Sequence, residues 1–243
     1  MTSSHSPPSK TSWKYQAIAA LSEEGFPRAF GAKELTEAMA KRGWEPSHMT
    51  LYRALSEWET AGLVKKVARG VFLNMQAFPQ PSPQEAAPLL RPGAIVSLGT
   101  VLGDAGVLNN PTPWVMAVLP AAKNVRHSTQ VNSVPGFMFK FAYIQPSIYS
   151  SPDEDWAADA YQARARVPTA TPEKALLDWI YLSSVGASAA RWRLPASHDI
   201  DMDYLDDARL TRLSERMGLQ SELAQFKSSL QSSPTIRVRR PRR

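Results

Sequence analysis

The sequence predicts an α+β protein of two domains: a helix-turn-helix unit with a two-strand hairpin, then a mixed α/β domain with a helical end. Three observations carry the prediction. Residues 33–73 read as helix, tight turn, helix and hairpin. A stretch rich in Pro and Gln, residues 76–92, follows them. Beyond it, two β-prone apolar runs precede two strongly helical regions.

Residues 1–11 are polar and rich in Ser and Pro, the composition of a disordered segment. Ser12 then offers a cap to a helix over 13–24, with Tyr15, Ile18, Ala19 and Leu21 expected inside and Gly25 ending it. A second helix over 32–42 places Leu35 and Met39 on one face. Gly43-Trp44-Glu45-Pro46 breaks it, because Gly ends helices and the residue before Pro disfavours helix. Ser47 caps a third helix, on which Leu51, Tyr52, Leu55 and Trp58 share an inward face until Gly62. Residues 63–67 and 71–73 flank Ala68-Arg69-Gly70, the pattern of a hairpin. Helix-turn-helix plus hairpin is the winged-helix arrangement, which assigns residues 12–75 to a DNA-binding domain.

Residues 76–92, with their repeated prolines, read as a stiff, solvated linker. The second domain is expected over 93–230. Ser97 is placed to cap a short helix that stops before Asn109-Asn110-Pro111. Residues 114–119 form a buried strand ended by Pro120, and residues 137–144 a second strand. Thr171 as cap, Pro172 in the first turn and Glu173 at the positive end of the dipole open a helix reaching Leu182. Its residues Ala175, Leu176, Trp179, Ile180 and Leu182 are apolar almost all round. A last helical region, 203–230, turns Leu205, Leu210, Leu213, Met217, Leu223 and Phe226 inward and is divided by Gly218. Residues 231–243 form a basic tail, with prolines at 234 and 241 that argue against helix.

Composition narrows the function. An apolar fraction of 43% over 243 residues supports a real core. The absence of cysteine rules out disulfides, thiolate metal sites and cysteine nucleophiles. No apolar leader or membrane-length run occurs, so a cytoplasmic protein away from membranes is expected. The net charge of +6 is uneven. Residues 1–75 carry ten basic and seven acidic side chains, residues 76–236 thirteen and fifteen, and the last seven residues five arginines. A basic unit and a basic tail on either side of a mildly acidic body suit a polyanion partner.

With the apolar face of the third helix inward, Ser47, His48, Thr50 and Arg53 lie outward near its start. Arginine can pair with guanine, and the hydroxyls and imidazole can bond bases or phosphates. Lys65, Lys66 and Arg69 fall on the hairpin, where cations meet the phosphate backbone. Arg237, Arg239, Arg240, Arg242 and Arg243 offer further contacts independent of sequence, or simply a solubilising tail.

Enzyme readings fare poorly. No lysine has an acidic residue two positions before it, as a PD-(D/E)xK nuclease needs. The four histidines lack metal-ligand spacing, and neither a Gly-x-Ser-x-Gly elbow nor a phosphate-binding loop occurs. Asp199, Asp201, Asp203, Asp206 and Asp207 do not make a calcium loop: counted from Asp199, the sixth position is Tyr204 and the twelfth Leu210. Helix capping is the expected role of that cluster. No cofactor and no metal are expected.

Several separated pieces nonetheless carry a resemblance. LVKKVARGVFL at the hairpin, RPGAIVSLGTVLGDAGVL after the linker and ATPEKALLDWIYL further on resemble the AbiEi antitoxins, the regulators of type IV, abortive-infection toxin–antitoxin systems. The matching pieces lie between residues 32 and 182. Arg69-Gly70 and the string from Thr171 to Asp178 are the most specific of them. The resemblance implies a bacterial repressor that binds inverted repeats at its own promoter, two copies to a site. It also implies opposition to a nucleotidyltransferase toxin encoded next to it. Ser47, Thr50, Arg53, Lys65, Lys66 and Arg69 are the positions it carries over. Two alternatives stay open: an inhibitor that grips the toxin directly, and a stand-alone regulator with a small-molecule pocket in the second domain.

Overall fold

The structure, a computed structural model, describes residues 12–121, 130–131, 136–148, 166–184 and 192–232. Within them helices and two small sheets combine in an α+β fold. The chain divides into two units, Met1–Pro92 with Val131–Phe137, and Gly93–Gln130 with Met138–Arg243. The expected disordered start, residues 1–11, and residues 233–243 of the basic tail lie outside the described residues, while 231–232 close the last helix.

In the first unit the order is α1 (Ser12–Leu21), β1 (Ala29–Gly31), α2 (Ala32–Ala40), α3 (His48–Thr60), β2 (Val64–Ala68) and β3 (Val71–Asn74). The three strands form an antiparallel sheet in the order β1-β3-β2, with β1 an addition to the expected hairpin. Glu34 folds back to accept the Gly31 N–H at 2.8 Å, closing the start of α2. Helix α3 begins at its expected cap, and its buried side is Leu51, Ala54, Leu55 and Trp58. Tyr52, expected inside, is only half-buried.

The expected phase of α1 is corrected. Trp13, Ala17, Ala20 and Leu21 face the core, whereas Ala19 is exposed and Tyr15 is 70% exposed. The cause is aromatic. Trp13 stacks on Trp44 with ring centroids 4.0 Å apart and meets Trp58 at 6.4 Å, which fixes the helix's rotation from its first turn. At its other end, the buried Asn74 donates to the Leu21 carbonyl at 2.7 Å, tying α1 to β3.

Residues 76–92 are not a free linker. They contain a short 3-10 turn, Pro83–Ala86, and α4 (Ala87–Leu90), with Ala86 and Ala87 fully buried. Arg28 holds them by a two-pronged contact to Glu85, Nε at 2.8 Å and Nη2 at 3.2 Å. Both partners are largely shielded, so this segment belongs to the first unit.

The second unit contributes β4 (Ile95–Val96), β5 (Trp114–Pro120), β7 (Met138–Ile144) and Gln130 of β6 (Gln130–Val131) to a sheet in the order β4-β5-β7-β6. Strands β5 and β7 run parallel in register from Trp114↔Met138 to Pro120↔Ile144. Val115 to Leu119 are all buried, which explains an apolar run without alternation. Helix α5 (Leu98–Asp104) packs on this sheet, and Gly99 is required there: a Cβ would stand 2.9 Å from Thr112 Cγ2. Val96 pairs with the chain entering α6 (Pro172–Ser184), through its N–H to the Pro168 carbonyl and its carbonyl to the Ala170 N–H, both 2.8 Å. Helices α7 (Asp207–Met217) and α8 (Gln220–Ser232) follow, with Gly218 at φ 65° between them.

One expectation in this unit changes, and three charged side chains prove buried. Ser97 does not cap α5; its hydroxyl donates to Asp178 Oδ2 at 2.6 Å, 81 residues away. Glu173 is 4% exposed and accepts the Asp206 N–H at 3.0 Å, so it locks the start of α7 rather than meeting solvent. Lys174 and Asp178, one turn apart, are both fully buried and form an ion pair inside the protein. Burial pushes the Lys174 amine below its ordinary value, against the opposing pull of the Asp178 carboxylate.

The aspartates before α7 organise local turns. Asp201 accepts the Asp203 N–H at 3.1 Å, and Asp206 accepts the Arg209 N–H at 3.0 Å as the cap of α7. That hydrogen bond above all holds the Asp206 carboxyl below the ordinary aspartate value of 3.8. The folded state therefore favours the carboxylate. Its stabilisation is complete above 3.8 and is lost as pH falls through the lower folded value. Wild type should exceed Asp206→Asn in thermal stability at neutral pH, and the gap should close in acid. A gap that ignores pH would count against this role.

Candidate nucleic-acid interface

Helix α3 presents its first turns to solvent. Ser47, in extended backbone, accepts the Thr50 N–H at 3.3 Å, and the two hydroxyls are 2.8 Å apart. This coupling follows from capping geometry and leaves both oxygens at the exposed helix start. His48 lies beside Tyr52, rings 4.4 Å apart. Arg53, one turn beyond Met49, is exposed, and among the described residues no hydrogen bond or ion pair engages it. The acidic residues further along the helix are occupied: Glu57 pairs with Lys14, and Glu59 accepts the Lys66 N–H at 3.3 Å.

The hairpin stands beside this helix start. Its turn needs Gly70 at φ 74°, and Tyr52 reaches it, with Oη 3.5 Å from where a Gly70 Cβ would lie. Lys65 and Arg69 are exposed and Lys66 is half-buried. Lys65 Nζ lies 4.8 Å from the Phe137 ring, a cation–π contact within the unit that leaves its charge intact. The seven residues expected at the reading surface thus fall on two adjoining elements, α3 and the β2–β3 hairpin. The five tail arginines, Arg237, Arg239, Arg240, Arg242 and Arg243, lie outside the described residues.

A cleft of about 690 Å³ opens next to the helix start, bordered by Trp13, Trp44, Ser47, Met49, Thr50 and Arg53. Sequence reasoning passed over Met49, which is 74% exposed. Helical geometry holds the signal that finds it. At 100° per residue, Met49 points roughly 170° away from the mean direction of Leu51, Ala54, Leu55 and Trp58.

Chemically, the surface combines an exposed guanidinium able to make paired bonds with two hydroxyls, an imidazole and cations on the hairpin. Among the described residues, no group of three or more His, Asp or Glu side chains is placed to hold a metal ion. Nor is any helix there long and apolar enough to cross a membrane.

No family model matches the sequence, and no curated protein matches it. Among solved structures, the chain is similar to the crystal structure of RV2827C protein from Mycobacterium tuberculosis. Identity is 17%, the match covers 92% of this chain and 82% of that chain, and the TM-score is 0.47.

Proposed function

We propose that this chain is a DNA-binding transcriptional repressor that acts as the antitoxin of a type IV toxin–antitoxin operon. The first unit is read as a winged helix, with α3 as the recognition helix and the β2–β3 hairpin as the wing. The observation that carries the reading is Arg53, without a partner among the described residues, beside Ser47 and Thr50 at an open helix start, with Lys65, Lys66 and Arg69 on the adjoining hairpin. The antitoxin role rests on the AbiEi resemblance of the segments that form β4, α5 and α6. On this reading the protein is bacterial and cytoplasmic, binds double-stranded DNA at inverted repeats in its own promoter, and self-associates there. Its functional partner is a nucleotidyltransferase toxin.

A gel-shift titration on the DNA upstream of the gene tests it. Binding there should be much tighter than to a random duplex of equal length, and equal affinities would defeat specific repression. Lys65→Ala is expected to weaken binding to both duplexes alike and to lower the salt slope by about 1, since a phosphate contact releases a counterion regardless of sequence. A loss confined to the specific duplex would remove Lys65 from the phosphate-contacting set.

A second reading, direct inhibition of the toxin, is favoured by the mildly acidic body of residues 76–236, which exceeds what DNA reading requires. Co-purification with the neighbouring gene product should then yield a stable complex.

A further inference from the structure

We infer that Met49 is a specificity-determining residue that reads the 5-methyl group of a thymine in the major groove; the inference rests on the DNA-binding reading above. Single exposed apolar residues are common on proteins and by themselves mean little. Met49 differs in where it stands. It occupies the first turn of α3, on the line of the helix that points away from the core. Helix-turn-helix proteins present that part of the recognition helix to base edges.

Its surroundings match one kind of surface. Arg53 lies one turn further on the same face, with no partner among the described residues. The Ser47–Thr50 hydroxyl pair lies to one side of Met49, and His48 and Tyr52 lie to the other. Lys65, Lys66 and Arg69 add positive charge from the hairpin. An apolar tip with a guanidinium and hydrogen-bonding groups beside it, and Glu45 the one acid on the cleft, complements an anionic surface that carries an isolated apolar feature. The major-groove edge of DNA has that character: donors and acceptors in a fixed pattern, anionic backbones on both sides, and the thymine methyl as its apolar point. Methionine suits the contact because its unbranched, polarisable thioether adapts to small apolar bodies. Met49 borders an open cleft shared with the stacked Trp13–Trp44 pair.

Deoxyuridine in place of thymidine removes the methyl group and nothing else, so it isolates the contact. On the operator found by gel shift, each thymidine is replaced in turn, and affinities are measured for wild type and Met49→Ala. At one thymidine per half-site, loss of the methyl should weaken wild type roughly three- to tenfold, as for one apolar group returned to water. Met49→Ala should bind the unmodified operator more weakly by a similar factor and be indifferent to deoxyuridine at that position. Because Met49 is exposed, its variant should unfold at the wild-type temperature. Equal responses of both proteins at every thymidine would overturn the inference while leaving DNA binding intact. So would a variant that keeps wild-type affinity for DNA but no longer binds a protein partner, which would assign the thioether to a protein interface. A wild-type protein with no preference for any upstream sequence would overturn the DNA reading itself, and this inference with it.

Discussion

Asp178→Ala is expected to destabilise the second unit by about 3–5 kcal/mol, the range for removing one partner of a buried ion pair. The substitution takes the balancing carboxylate from the buried Lys174 ammonium and the acceptor from the Ser97 hydroxyl. Burial already holds the Lys174 amine below its ordinary value, so losing the opposing carboxylate should lower it further. Denaturant unfolding followed by tryptophan fluorescence provides the measurement, since Trp179 sits on the same helix. A loss below about 1 kcal/mol would mean that the pair is not closed to water as described. The double variant Lys174→Met/Asp178→Leu should recover most of the loss, because two apolar groups of similar size leave no stranded charge. That recovery separates the cost of an orphaned charge from simple loss of packing.

This pair also marks the limit of what the sequence makes legible. Lysine and aspartate one turn apart look like a solvated pair on a helix surface, and only the neighbours of α6 decide otherwise. Helices α5, α7 and α8 and strand β7 all pack against it, so Glu173 to Ile180 are buried without a polar side. Ser97 shows the same limit. Its local pattern announces a cap, but a buried carboxylate brought from 81 residues away takes the hydroxyl. In α1 the contest was between a weak apolar pattern and a single long-range stack, Trp13 on Trp44, and the stack set the rotation. Residues 76–92 look solvated by composition, yet one arginine–carboxylate fork binds them to the first unit.

The elements that read correctly are the local ones. Ser47 begins α3 because its own oxygen reaches the Thr50 N–H, and the β2–β3 turn closes because Gly70 adopts a positive φ. The exposure of the α3 start and of the hairpin rests on such short-range features, so it follows from spacing alone. Met49 was missed for a different reason. An apolar residue beside an apolar helix face invites burial, although the helix repeat turns it outward.

Arg53→Ala should then weaken binding to the specific operator by about 1–3 kcal/mol, or roughly five- to 150-fold, with little change on random duplex. The reasoning turns on the guanidinium's freedom. It is exposed and engages no partner among the described residues, so its removal leaves no stranded charge and should not move the unfolding midpoint. Whatever is lost is lost from the complex. Arg53→Lys sharpens the test, because it keeps the positive charge but not the planar fork that meets two guanine acceptors together. If Arg53 reads a base, the lysine variant should bind the operator nearly as weakly as the alanine variant while retaining the wild-type salt slope. If Arg53 only touches phosphate, the lysine variant should bind like wild type, and the alanine variant should lose affinity equally on every sequence. The two roles thus differ in outcome even where the alanine variant alone would leave them alike.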